Sequence, residues 1–318
     1  MAGEKVPPGG LGRGRRSRPT GPRVWGSGPL VADGGIVPAV QAASTITHTR
    51  PAAHSLMPYL VDVRHLMTAA RLCMRRASAP GADGLTWAGY RRGLRDRLAC
   101  LAERLRTGEW SPGPVREVDI TSFTGKVFTA VIPTVQDRIV HRAMRLALDP
   151  ILDQRVLREW VSAYRPGRNR ITALRQADAY ISVQRCWLAD IDVAGASAGG
   201  TVEQFVNWLG EYVTDGTFLG IFRRALVGLP SPLVPGSGLW PVLFHLRLAQ
   251  ADAALDGRPI VRFADNYIGF TSSRDEALEA FDAITSALAV VGLRPHPRKS
   301  GIRAPHQANT EDLFLIDG

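Results

Sequence analysis

The sequence contains few cysteines and no long apolar run. Its cysteines are widely separated, and they are Cys73, Cys100 and Cys186. Neither a disulfide framework nor a paired zinc site fits this spacing, and the seven histidines show no ligand spacing either. No apolar segment reaches the length of a transmembrane helix, and the Pro- and Gly-rich N-terminus lacks the apolar core of a signal peptide. We therefore expect a cytoplasmic protein without a membrane partner.

Lysine is nearly absent, although the chain is strongly basic. The lysines are Lys5, Lys126 and Lys299, so arginine carries almost all of the formal net charge of +10. Such a surplus predicts a polyanionic partner, and nucleic acid is the first candidate. The arginine bias, with abundant Ala, Gly and Pro, is also typical of a GC-rich genome, which is the alternative explanation.

The first 55 residues lack the periodicity of helices and strands. They are rich in Gly, Pro, Ser and Arg, with five arginines between positions 13 and 23. This composition predicts a disordered basic tail over residues 1–55. The arginine cluster either contacts nucleic acid or is simply solvated. The rest of the chain is long enough to bury a sizeable core.

Helical and strand patterns interleave after the tail. Four leucines between positions 94 and 105 share one helical face, and one helix is expected over residues 58–76. Residues 115–132 are typical of a hairpin, and residues 186–193 of a buried strand. Because strands and helices do not alternate strictly, we expect an α+β fold.

Residues 258–271 predict a second hairpin. Residues that are β-branched or aromatic flank Asp265 and Asn266 on both sides, and Asp and Asn tolerate tight turns. We therefore expect a carboxylate at the tip of this hairpin. On this stretch alone, an ordinary Asp-Asn turn without a function is the alternative.

A second carboxylate, Asp190, lies in the predicted strand 186–193. Two carboxylates on neighbouring strands repel each other, and a divalent cation such as Mg²⁺ relieves that repulsion. A pair of such ions supports phosphoryl transfer. Asp192 would point to the same face of the strand as Asp190, which makes it a possible substitute ligand.

Eight short motifs follow one another along the chain. They are Pro-Gly-Ala-Asp-Gly at 80–84, Ile-Pro-Thr-Val-Gln-Asp-Arg at 132–138, Tyr-Arg-Pro-Gly-Arg at 164–168, Ala-Asp-Ile at 189–191, a Gly/Pro-rich loop at 228–241, Arg-Phe-Ala-Asp-Asn at 262–266, Gly-Leu at 292–293 with Lys299, and Leu-Phe-Leu at 313–315. In this order and at these spacings they resemble the reverse transcriptases of bacterial group II introns and retrons.

The resemblance implies a right-hand polymerase fold. A fingers-like region would span residues 56–185 and a palm domain residues 186–318, with helices packed on an antiparallel palm sheet and the thumb missing. The implied activity is RNA-directed DNA synthesis by two-metal phosphoryl transfer. The implied partners are an RNA template with a DNA primer or hybrid, deoxynucleoside triphosphates, and a separate thumb-like or maturase-like protein.

The resemblance also implies roles for individual residues. The implied catalytic residues are Asp190, Asp265 and Asn266. The implied ligands of Mg²⁺, or alternatively Mn²⁺, are Asp190, Asp265 and the backbone carbonyl of Ile191. The implied contacts to nucleic acid or nucleotide are Arg165, Arg168 and Lys299.

Several motif positions depart from the family pattern. Asn266 replaces a second Asp, and the fingers Lys and Arg that reach nucleotide phosphates fall on Ser122 and Phe128. The aromatic pair that screens the sugar 2′-hydroxyl and the loop Gln fall on Ala194, Gly195 and Pro235. Two alternatives follow: a degenerate relative that binds nucleic acid or a partner without polymerising, and an unrelated basic α+β binding protein.

Overall fold

The computed structural model describes residues 55–75, 79–122, 125, 127–308 and 313–314. The predicted tail 1–55, apart from its last residue, lies outside this part of the chain, as do the arginine cluster and Leu315 of the last motif. All of the described residues belong to one unit, 47–318.

Most residues of the main hydrophobic core lie on helices. In chain order the helices of the described residues are α1 Met57–Leu60, α2 Val63–Met74, α3 Trp87–Arg91, α4 Leu94–Thr107, α5 Val135–Ile151, α6 Arg170–Ser182, α7 Val202–Gly210, α8 Gly216–Val227, α9 Trp240–Asp252 and α10 Arg274–Ala289. The single helix expected over residues 58–76 is wrong, because the chain turns after Leu60 and Asp62 caps a new helix by accepting a hydrogen bond from the Arg64 N–H.

The strands form two antiparallel sheets. They are β1 Arg116–Thr121, β2 Val127–Ile132, β3 Trp187–Ala194, β4 Ile260–Phe263, β5 Asn266–Thr271, β6 Arg294–Pro295 and β7 Gly301–Arg303. Strands β1 and β2 form the predicted first hairpin. The larger sheet has the order β4-β5-β3-β6, with β7 also paired to β3. The α+β class and the antiparallel sheet are thus confirmed.

The larger sheet is buried on both faces. Ile191 and Tyr267 belong to the main core, which also includes residues of α9 and α10. Leu188, Ile268 and Phe270 project to the opposite face, where they join a smaller cluster with α6. Side chains alternate between the two faces along each strand, so the face of an acidic residue follows from its position.

The main core also crosses the predicted boundary between residues 185 and 186. It contains Leu101 and Ile139 from one side of that boundary, and Phe205 and Leu246 from the other. The division into fingers and palm therefore stays a prediction of the resemblance. Within the described residues, helices lack the combination of length and apolar composition needed to span a bilayer.

A close backbone contact joins the first hairpin to the loop before α9. The Val131 N–H in β2 donates to the Pro235 carbonyl at 2.8 Å. Gly236 follows with φ at +93°, and a Cβ there would lie 2.0 Å from the Val131 oxygen. Only glycine fits this position, because a side chain would collide with the β2 backbone.

Candidate active site

The β4–β5 turn carries Asp265. Phe263 pairs with Asn266, so the turn consists of Ala264 and Asp265, one residue earlier than the predicted Asp-Asn tip. Ala264 has φ at +55°, a conformation that is uncommon for non-glycine residues. The Arg262 side chain donates from Nη1 to the Ala264 carbonyl at 3.0 Å, which supports this turn from the interior.

The register of β3 against β5 brings Asp192 to the same turn. Asp192 lies opposite Asn266, and the next residue, Val193, donates its N–H to the Asp265 carbonyl at 3.2 Å. Residues directly opposite on antiparallel strands project to the same face. Asp192, Asp265 and Asn266 therefore come together at one end of the sheet.

Asp190 lies deeper in the sheet than Asp192. It is opposite Ile268, only 6% exposed, and its carboxylate forms an ion pair with Arg303 of β7. Burial raises the pKa of Asp190, and Arg303 opposes that shift. Asp192, and not Asp190, is the β3 acid that lines a cleft together with Asp265, whereas the metal-binding roles of Asp190 and Asp265 stay predictions of the resemblance.

The cleft has a volume of about 860 Å³. Besides the Asp192, Asp265 and Asn266 cluster and its neighbours on β3, it is lined by residues from five other regions of the chain, and the lining includes Ser122, Phe128, Arg142, Arg145, Tyr164, Ala194, Gly195, Pro235, Trp240, Phe244, His296 and Lys299. Every position at which the sequence departs from the family pattern is therefore in this one cleft. Its size is within the range of small-molecule sites.

Several neighbouring groups shift the pKa of Asp265. Burial raises the pKa of its carboxyl group, and Asp192 raises it further, whereas a backbone hydrogen bond, Lys299 and Arg262 lower it. Lys299 Nζ lies 3.7 Å from Asp192 Oδ2. Lys299 thus lies in the cleft beside an acid of the site, and its contact to nucleic acid or nucleotide stays a prediction of the resemblance.

The chain following β6 fixes the backbone of Asp192. The His296 N–H donates to the Asp192 carbonyl at 2.7 Å, and Ser300 Oγ donates to the same oxygen at 3.1 Å. Ile191, the proposed backbone ligand, is fully buried on the opposite face of the sheet. The role of its backbone carbonyl as a metal ligand therefore stays a prediction of the resemblance.

Arg165 and Arg168 do not line the cleft. Arg165 is 6% exposed, forms an ion pair with Asp153, and donates to the Val161 carbonyl at 3.2 Å. Arg168 forms an ion pair with Glu159. Both guanidinium groups are engaged within the protein, so their predicted contacts to nucleic acid rest on the resemblance alone.

An aromatic wall forms another side of the cleft. Trp240 and Phe244 stack with ring centroids 4.8 Å apart, and Tyr164 meets Trp240 edge to face at 5.1 Å. None of the three was among the predicted site residues. The signal present in the sequence was the i, i+4 spacing of Trp240 and Phe244, which begins within the last residues of the Gly/Pro-rich segment 228–241.

A sealed polar cluster lies below the turn, on the other face of β4 and β5. Asp252 at the end of α9 accepts from Arg262 Nη2 at 2.6 Å, from Arg262 Nε at 3.1 Å and from the Tyr267 hydroxyl at 2.7 Å. Asp252, Arg262 and Tyr267 are fully buried. This forked pairing is the geometry in which arginine binds a carboxylate most strongly.

The donor set of the cleft resembles that of a magnesium site more than that of a zinc site. The described residues contain no group of three or more His, Cys, Asp or Glu side chains able to hold a metal ion. Asp192 and Asp265 supply two carboxylates, with the Asn266 amide beside them. Mg²⁺ typically takes one or two carboxylates and fills its other positions with water and substrate phosphate, so these residues fit that ion.

Comparisons with known proteins leave the family open. No protein-family model matches the chain. It is similar to Protein YkfC of Escherichia coli (strain K12), with 25% identity over 223 residues, covering 64% of this chain and 57% of YkfC. Two solved structures, "Partial Cas6-RT-Cas1--Cas2 complex" and "Cas6-RT-Cas1--Cas2 complex", each show 18% identity and a TM-score of 0.38 over 74% of this chain.

The chain spans only part of each of these proteins. It covers 57% of YkfC, and 42% and 26% of the matched chains in the two complexes. Similarity at this level leaves the chemistry to be argued from the cleft itself.

Proposed function

We propose that this protein is a reverse-transcriptase-like nucleotidyltransferase that extends a primer along an RNA template. The observation that supports this most strongly is the convergence of separate motifs on one cleft. Residues at positions 122, 128, 164, 192–195, 235–238, 240–241, 265–266 and 299 come from segments far apart in sequence, yet all contribute to its lining. The known order of these segments in the family is an independent reason to expect them to share a site.

Asp192 and Asp265 are the residues that would hold Mg²⁺ or Mn²⁺, with the Asn266 amide as a neutral third donor. A bound divalent cation would stabilise negative charge on a transferring phosphoryl group. The two carboxylates lie in one cleft, and partial burial of Asp265 together with the charge of Asp192 raises the pKa of its carboxyl group, an effect that a bound cation would oppose. Asp190 is the alternative β3 ligand, and its ion pair with Arg303 would have to break for that role.

The charge of the chain supports a nucleic-acid partner. The formal net charge is +10, and the cleft contains Arg142, Arg145 and Lys299 beside its aromatic wall. Positive grooves with aromatic rings bind single-stranded nucleic acid by phosphate contact and base stacking. We therefore expect binding that weakens with salt, with a log–log slope of about −0.7 for each phosphate contact on a single strand.

A degenerate relative that binds nucleic acid without polymerising it is the second candidate. The cleft positions Ser122, Phe128 and Pro235 are uncharged, and Asn266 removes a carboxylate. Each lost electrostatic contact costs an enzyme about 2.7–4 kcal/mol of transition-state stabilisation in measured cases. This candidate differs from the first only in activity, so an activity measurement separates them.

Primer extension on an RNA template tests both candidates. The wild type is compared with Asp192→Asn and Asp190→Asn, with Mg²⁺ and with Mn²⁺. We expect extension by the wild type, stronger with Mn²⁺ because Mn²⁺ binds a given site more tightly. Asp192→Asn should abolish extension. Asp190→Asn should retain it, provided that circular dichroism shows a folded protein.

Each other outcome has a definite meaning. If Asp190→Asn loses extension and Asp192→Asn does not, Asp190 rather than Asp192 is the metal ligand on β3. A silent wild type that still binds template in a salt-dependent way would establish the degenerate candidate. A wild type that neither binds nucleic acid nor extends a primer would contradict both candidates.

A further inference from the structure

Two arginines of α5 lie in the cleft without a role so far. Arg142 and Arg145 are three residues apart, so they project from the same side of the helix. Both line the cleft that contains Asp192 and Asp265. We propose that Arg142 and Arg145 form a phosphate-binding site for the triphosphate of a nucleotide. This role rests on the proposed function and concerns the same cleft.

The loop before α9 fixes the place of Arg142. Gly238 packs directly on α5, where an added Cβ would lie 2.9 Å from the His141 Cβ and 3.7 Å from the Arg142 backbone nitrogen. His141 is buried in this contact. This packing fixes the α5 backbone at Arg142, whose side chain lines the cleft.

The two arginines together carry more positive charge than the carboxylate that interacts with them carries negative charge. Arg142 forms no hydrogen bond or ion pair with a described residue, and its Nε is buried without a partner. Arg145 Nε lies 3.4 Å from Asp149 Oδ1. Burial raises the pKa of Asp149, and both arginines oppose that shift, so one carboxylate serves two guanidinium groups. One positive charge is left for a ligand.

The other cationic candidates already lie against acidic residues of the protein. Arg165 and Arg168 form ion pairs with Asp153 and Glu159, outside the cleft lining. Lys299 lies beside Asp192. The hairpin positions that would reach phosphates in the family are Ser122 and Phe128, which carry no charge. Phosphate recognition in this chain has therefore moved from the hairpin to α5.

The chemistry of the cleft favours a nucleotide over other anions. Guanidinium groups bind phosphate oxygens in a forked geometry, more specifically than ammonium groups do. The aromatic wall of Tyr164, Trp240 and Phe244 offers ring faces and edges for a base. One nucleotide would use all three kinds of group in this cleft. Its triphosphate would bind the arginines, its base would contact the aromatic rings, and the carboxylate pair would hold the metal ion that its phosphates bind.

Binding of two probes tests the proposal without requiring catalysis. The probes are inorganic tripolyphosphate and a deoxynucleoside triphosphate, titrated calorimetrically into the full chain with Mg²⁺ and no template. Arg142→Gln and Arg145→Gln should each weaken binding about 10- to 100-fold, as expected for loss of a charge-assisted contact. Arg142→Lys and Arg145→Lys should bind more tightly than the corresponding Gln variants. Arg95→Gln, an exposed arginine of α4, is the matched control and should bind as the wild type does.

A second measurement on the wild type covers the case in which the Gln variants fail to fold. Tripolyphosphate should protect Arg142 and Arg145 from phenylglyoxal, as read by mass spectrometry, while Arg95 stays reactive. The proposal is overturned if the wild type binds neither probe, if folded Gln variants bind like Arg95→Gln, or if neither arginine is protected. Probe binding that depends on both arginines, together with absent primer extension, would reject polymerisation and keep the phosphate site.

Discussion

Asp252 and Asp265 are associated with the same hairpin but have opposite surroundings. Asp252 is fully buried and receives two hydrogen bonds from Arg262 and one from Tyr267. Asp265 lies at the edge of an open cleft and faces another acid, Asp192. Asp252 has a direct counter-charge and stabilises the hairpin, whereas Asp265 at the turn is the acid that we propose binds a cation. The two are linked, because Arg262 also hydrogen-bonds the Ala264 carbonyl in the turn.

Breaking the sealed cluster should have the largest effect. Arg262→Met leaves the Asp252 carboxylate buried without its counter-charge, which typically costs about 3–5 kcal/mol of unfolding free energy. Urea denaturation measures this. Combining Arg262→Met with Asp252→Leu removes both charges and should recover a large part of the loss. A single variant within about 1 kcal/mol of the wild type would show that the cluster is not essential for stability.

Asp265→Asn should separate activity from stability. Removing one of two carboxylates that repel each other should leave the unfolding free energy unchanged or raised, while Mn²⁺ binding weakens. Primer extension should fall by at least about 100-fold, the scale of losing one preorganised electrostatic contact. Asp282→Asn, an exposed acid of α10, serves as the control. A loss of stability like that of Arg262→Met would contradict the contrast between the two acids.

The sealed interior should also make stability dependent on pH. Burial lowers the pKa of His141 to about 4, whereas the unfolded chain titrates near 6.5. The unfolded state therefore binds the proton first, so stability is complete above pH 6.5 and falls as the pH drops towards 4. Between pH 7 and pH 5 the wild type should lose about 2 kcal/mol more than His141→Leu, measured by urea denaturation at both pH values.

Two comparisons control this pH measurement. His306→Gln, at an exposed position, should follow the wild type at both pH values. Burial also lowers the pKa of His245, to about 3, so His141→Leu should retain part of the acid sensitivity. Equal pH dependence in the wild type and His141→Leu would show that the pKa of His141 is the same in the folded and unfolded states.

Asn266→Asp should give the smallest effect, and its sign should depend on metal. The new carboxylate lies opposite Asp192, and like charges in cross-strand pairs destabilise a sheet by up to about 1 kcal/mol. With EDTA the thermal midpoint should therefore fall. With Mn²⁺ the fall should disappear, because affinity for the ion rises roughly tenfold, or about 1.4 kcal/mol. The same shift under both conditions would mean that no ion binds between these strands.

Local patterns were sufficient to predict much of the architecture. The α4 leucines and the first hairpin are where the sequence indicated, and the second hairpin is there with its turn one residue earlier. Each of these depends on residues that are near neighbours in the chain. Helix periodicity did not reveal the break between α1 and α2, because the apolar residues of both helices continue one pattern across Val61 and Asp62.

The site was harder to predict because it depends on strand register. Alternation places Asp190 and Asp192 on the same face of β3 and cannot say which one is nearer the turn. The pairing of Asp192 with Asn266, a long-range fact, decides this. For the same reason the sequence did not show that Arg165 forms an ion pair with Asp153, or that Arg142 would line the same cleft as Asp265.

The contact between Val131 and Pro235 has a consequence for how the molecule is made on the ribosome. A two-stranded hairpin is marginal on its own, and β2 obtains this backbone partner only after the loop before α9 has been synthesised. Until then the outer edge of β2 can pair with other chains. Any side chain at Gly236 would prevent that late docking, so we expect a Gly236→Ala protein to accumulate in inclusion bodies, and the folding yield in cells to be sensitive to this one position.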